Sequence, residues 1–95
     1  MQLYVINWSF QNAEDQLFAT NEFREHFKEG KFNENIDGFE LIQIVHMPQT
    51  GTGVIICKAQ DAKTLFLLLD MWRKNFNILF DIKPGLTNED LLLDT

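Results

Sequence analysis

The hydrophobic period of this chain switches repeatedly between Leu3 and Lys83, and each switch marks a boundary between strand and helix. Leu3 to Phe10 is rich in β-branched and aromatic residues and ends at polar Gln11-Asn12, which predicts a first strand. Asn12 is an N-cap residue, Glu14 and Asp15 suit a first helical turn, and Ala19, Phe23 and Phe27 recur four apart. A helix is therefore expected over about Ala13 to Glu29, with Gly30 at C′ and Lys28 and Lys31 complementing its dipole. Lys31 to Gly38 carries Asn33, Asn35, Asp37 and Gly38, residues of a connecting turn.

Phe39 to Met47 predicts a second strand, with Phe39, Leu41 and Val45 on one side and Ile42, Ile44 and His46 on the other. Pro48 to Gly53 interrupts it and Val54 to Ala59 resumes, the pattern of a hairpin. Asp61 caps a second helix over about Ala62 to Asn75, with an apolar stripe of Leu65, Leu69, Trp72 and Phe76 and with Arg73 and Lys74 in its last turn. Its opposite side carries Leu67 and Phe66 as well as Lys63, Asp70 and Lys74, more apolar surface than a solvated face requires. Asn77 to Lys83 is a fourth strand stopped by Pro84-Gly85. Thr87 with Asp90 three residues on resembles a capping box for a short helix through Leu91 to Leu93 in the tail from about 84 to 95.

The order strand, helix, strand, strand, helix, strand gives an α+β fold of the ferredoxin-like βαββαβ type, a four-stranded antiparallel sheet with both helices on one face. Ninety-five residues are enough for one core, so a single domain over 1–95 is expected. With both helices on one side, the other sheet face is bare, and a solvated face would alternate apolar and polar residues. These strands do not alternate. Leu3 and Val5 stand on one parity of the first strand, Tyr4, Ile6 and Trp8 on the other; Val54 and Ile56 oppose Ile55, Cys57 and Ala59. Both faces need cover, and a homodimer through the open sheet face supplies it.

Charge and composition narrow the partners. Fourteen acids against eight bases give a net charge of -6, which repels phosphate backbones and anionic membrane surfaces, so no nucleic-acid or membrane partner is expected. The longest uninterrupted apolar run, Leu65 to Leu69, is far short of the roughly 20 residues that span a bilayer. The N-terminus lacks a basic n-region, and the single Cys57 forms no internal disulfide, so a cytoplasmic setting is expected.

None of the common nucleotide or zinc signatures occurs, and Gly51-Thr52-Gly53 lies in a hairpin without opening a helix, so it is read as a turn and not a phosphate cradle. No cofactor or metal is expected: His26, His46 and Cys57 are the only soft ligands, and His26 lies beside Glu22, Glu25 and Glu29 on what reads as a solvated face. Cys57 and His46 share the hairpin, but nothing near Cys57 supplies the positive charge that activates a thiol, which favours a buried structural cysteine. His46, at a strand end, and Asn7, an amide inside an apolar strand, are each read first as structural and second as ligand contacts.

Trp8 closing the first strand, Gly38-Phe39-Glu40-Leu41-Ile42 leading to His46, the Gly51-Thr52-Gly53 hairpin, Val54 to Ala59 followed by Asp61, Trp72, and Pro84 followed by Glu89-Asp90 together resemble a family of short bacterial proteins of unknown function. That family belongs to the dimeric α+β barrel group, which includes cofactor-free monooxygenases and haem-handling enzymes. The chain departs from it at Val45, where an aromatic residue usually precedes the histidine. The resemblance implies the dimeric barrel and carries over no catalytic residue. Two functions follow: a non-catalytic binding or interaction module, or a cofactor-independent monooxygenase or isomerase. The latter would act on a small apolar molecule in a pocket between sheet and helices lined by Asn7, Trp8, His46 and Trp72. An enclosed volume of a few hundred Å³ reached by Asn7 or His46 would favour the enzyme, and a filled interior the module.

Overall fold

The computed structural model describes residues 1–28 and 37–93, and its elements follow the expected order. Strand β1 (Gln2–Ser9) leads to helix α1 (Ala13–Lys28), then strands β2 (Phe39–Met47) and β3 (Thr52–Ala59), helix α2 (Ala62–Phe76), strand β4 (Leu79–Gly85) and helix α3 (Asn88–Leu93). The four strands form one antiparallel sheet in the order β2-β3-β1-β4, the ferredoxin-like arrangement. The expected helix end at Glu29, Gly30 at C′, Lys31 and the turn residues Asn33 and Asn35 lie outside the described residues, as does the side chain of Phe27.

Local chemistry sets the helix starts. Asn12 Oδ1 accepts the Asp15 backbone N–H at 2.8 Å, and Asp61 Oδ1 accepts that of Thr64 at 2.8 Å, each satisfying a donor with no partner inside its helix. At α3 the capping box closes in both directions: Asp90 N–H donates to Thr87 Oγ1, and Thr87 N–H donates to Asp90 Oδ2, both at 3.0 Å. Helix α2 runs one residue past its expected end, and Asn77 caps it in the left-handed region at φ 53. That conformation cannot begin a strand, so β4 starts at Leu79 and not at Asn77.

The core lies between the sheet and the helix pair. Tyr4, Ile6 and Trp8 of β1, Ile55, Cys57 and Ala59 of β3, Leu65, Leu69 and Trp72 of α2, Ala19 of α1 and Ile78 are buried together. The parity left undetermined by the sequence is thereby assigned: Tyr4, Ile6 and Trp8 face the helices, and Leu3 and Val5 face away.

Strand β2 corrects the expected parity. Leu41 pairs with Cys57 and Gln43 with Ile56, leaving Ile42 as an extra residue in a β-bulge. The bulge turns the strand over, so Phe39, Leu41 and Ile44 all pack against the core, while Val45 leaves the Phe39 side and is exposed. On α2, exposed Phe66 lies under the Arg73 guanidinium, 4.3 Å from the ring centroid, a cation–π contact that shields part of the surplus apolar side. Among the described residues no helix is long and apolar enough to cross a membrane.

Candidate functional site

A cleft opens where the Ser9 end of β1, the Met47 end of β2 and the two helices meet. The hairpin that ends β2 is fixed there by three bonds: Thr50 N–H to Met47 O at 3.2 Å, Phe10 N–H to Gly51 O at 2.9 Å, and Gln16 Nε2 to Pro48 O at 2.9 Å. The last joins the first turn of α1 to the hairpin and so sets the width of the cleft. Gly51 supplies the left-handed turn at φ +67. Gly53 serves a different purpose, since it sits opposite Trp8 and a β-carbon there would fall inside the Trp8 ring.

Trp8, His46 and Trp72 all line this cleft, joined by Phe10, Phe23 and Phe80. The His46 ring stands edge-on to Trp8, with centroids 5.3 Å apart, and to Phe23, 4.7 Å apart; Phe23 lies 6.1 Å from Trp72. The cavity they enclose is about 60 Å³ and open to solvent at one side. Thr20 and His46 contribute the hydroxyl and the imidazole of the lining, but the Thr20 hydroxyl already donates to Gln16 O at 2.7 Å. His46 keeps part of its surface in water, yet its wedged position costs the ring solvation and lowers its pKa below the ordinary histidine value. The neutral imidazole is favoured.

Asn7 does not join the others. Neighbouring residues of a strand point to opposite faces, so with Trp8 inward Asn7 lies on the open face, exposed, between Val54 and Asp81. Contrary to expectation, it lines a separate, open recess at this end of the sheet with Trp8, Ser9, Gly53 and Asp81, so Trp8 borders both hollows while Asn7 shares none with His46 or Trp72. His26 is also relocated: its ring packs 5.4 Å from Trp72, and its Nδ1 lies 3.0 Å from Glu22 O, half-buried between the helices instead of on a solvated face.

Cys57 and His46 are not a pair. Cys57 is opposite Leu41 while His46 is opposite Gly53, four positions along the same strand, or about 13 Å. Burial pushes the Cys57 thiol up to about 11, so it stays protonated and inert. Among the described residues no three of His, Cys, Asp and Glu converge as metal ligands.

Phe23, Phe10 and Phe80 were not anticipated as lining residues. Phe23 was visible on the helical stripe, and Phe80 pairs with Trp8 across β1 and β4, a relationship that requires the register and not the sequence alone. Val45 is exposed and takes no part in the cleft, whose lining beside His46 is aromatic without it.

The fold recurs in a solved structure from Deinococcus radiodurans, described as a candidate antibiotic biosynthesis monooxygenase, with a TM-score of 0.55 over 93% of each chain at 15% sequence identity. Among curated proteins no sequence matches. Residues 2–92 match the profile of a family described as a domain of unknown function, DUF3303, and the chain belongs to that family.

Proposed function

We propose that the chain is a non-catalytic binding module, a homodimer that takes the apolar part of a small molecule into the cleft between sheet and helices. The size of the cleft carries this reading. At about 60 Å³ it is well below the roughly 300 Å³ at which pockets begin to enclose a drug-sized ligand, so it accepts one small apolar group through its open side. Trp8, Phe23 and Trp72 offer that group aromatic surfaces, and His46 offers one hydrogen bond at the mouth.

The dimer rests on the open face. Across β2, β3, β1 and β4 that face presents the rows Gln43, Ile56, Val5, Lys83 and Val45, Val54, Asn7, Asp81, with Met47, Thr52, Ser9 and Leu79 beyond them. Val45, Met47 and Leu79 are exposed apolar residues on it, and a second sheet packed about 10 Å away would cover them.

Titration with indole as a probe, followed by the two tryptophan indole N–H resonances, tests the cleft. Saturable shifts at Trp8 and Trp72 that vanish in Phe23→Glu are expected. Unchanged indole signals at millimolar probe would contradict binding there.

One observation favours a second reading, a cofactor-independent monooxygenase or isomerase: the neutral-leaning His46 imidazole faces the cavity and is able to accept a substrate proton. The Deinococcus radiodurans protein of the same fold, as described, points the same way. Dioxygen uptake or isomerisation with an electron-rich phenol, lost in His46→Gln, would support it over the module.

A further inference from the structure

Helix α3 is ordered at its start yet none of its residues, Asn88–Leu93, is fully buried. Its capping box is closed in both directions. Isolated helices this short are unstable in water and normally persist by packing an apolar side. Leu91, Leu92 and Leu93 are 59%, 63% and 85% exposed, and at about 100° per residue they fan over roughly 200° of the helix surface. Leucine therefore covers a little over half of the circumference of α3.

The position of α3 says which body that is. It leaves the sheet at Gly85, which pairs with Leu3, and Leu3 pairs with Lys58; Leu3 and Lys58 belong to the open face. The Asp90 carboxyl is held below the ordinary carboxylate range first by the Thr87 backbone N–H and then by the Thr87 hydroxyl, and Lys58 adds its attraction. Helix α3 thus stands at the rim of the open face, on the side a second copy would occupy.

The area points the same way. Four strands at about 4.8 Å spacing and seven residues at about 3.4 Å give a face of roughly 450 Å² in projection. A standard interface buries about 800 Å² of accessible surface on each partner, so a face of this size is not large for a stable dimer and a helix at its rim adds usefully to it. We infer that α3 is a clasp: its leucines seat on the second copy and extend, at the Leu3–Lys58 end, the interface that the open sheet face begins. This rests on the sheet-to-sheet dimer proposed above.

Sedimentation velocity of the full chain and of the Leu91→Ser/Leu92→Ser/Leu93→Ser variant, over a range of micromolar concentrations, tests it. The replaced side chains are exposed within the chain, so the variant folds, which circular dichroism checks. A wild-type dimer whose Kd rises about tenfold or more in the variant is the expected result. A dimer equally tight in both proteins overturns the clasp and leaves the sheet interface standing. A wild-type chain that stays monomeric overturns both.

Discussion

Trp8 on β1 and Gly53 on β3 are cross-strand partners in which one residue exists to make room for the other. The indole covers the glycine backbone so closely that any side chain at position 53 must displace it. Trp8 is in turn the edge-on neighbour of His46, so this one contact fixes both the end of the sheet and the wall of the cleft.

Replacing Gly53 with alanine should therefore lower stability by about 1 to 3 kcal/mol, the usual cost of overpacking a core. It should also move the Trp8 fluorescence toward that of an exposed indole. Denaturant unfolding with the same midpoint as wild type would show that the ring can swing aside.

Trp72 anchors the α2 stripe, 7% exposed and in contact with Phe23, His26 and Phe76. Truncation to alanine should cost about 3 to 5 kcal/mol, a large share of what a domain this size has. The variant is expected to lose cooperative thermal unfolding. A transition within a few degrees of wild type would make the residue peripheral.

His46 should make stability depend on pH in a defined window. Its folded pKa lies below the unfolded value of 6.5, so the unfolded chain binds the proton first. Stability contributed by the neutral ring is complete above pH 6.5 and declines as pH falls below it, through the folded pKa. Unfolding free energies measured in steps from neutral to mildly acid pH should show this slope, and His46→Gln should reduce it. An NMR titration placing His46 above 6.5 would reverse the sign.

Cys57 gives a chemical test of the core. With no exposed surface and a pKa pushed up to about 11, the thiol should ignore a disulfide reagent at pH 8 until denaturant is added. Rapid reaction in the folded state would place it elsewhere.

What could be read from the sequence was the locally determined part. Asn12, Asp61 and the Thr87–Asp90 box announced their helices because a cap is completed within four residues. The side of β2 was not legible, because the bulge at Ile42 is set by pairing with Cys57 and Ile56 on another strand. His46 was placed with Ile44 correctly and Leu41 with Phe39, but the two pairs were put on opposite sides and Val45 was put with Phe39. Asn7 was grouped with Trp8, His46 and Trp72, where strand alternation turns it to the open face and leaves it sharing a recess with Trp8 alone of those three. His26 looked solvated among its glutamates because Trp72, which its ring packs against, lies 46 positions later.

The central claim, that a second copy covers the open face, is tested most directly by sedimentation equilibrium of the wild-type protein beside Val5→Lys and Ile6→Lys. Ile6 is 1% exposed in the core, so a lysine there should unfold the chain at a cost of several kcal/mol. Val5 faces outward, so its lysine should leave circular dichroism unchanged and convert a dimer into a folded monomer. A wild-type mass near twice 11.1 kDa at micromolar concentration is expected. A folded wild-type species of 11.1 kDa, unaffected by Val5→Lys, would contradict it.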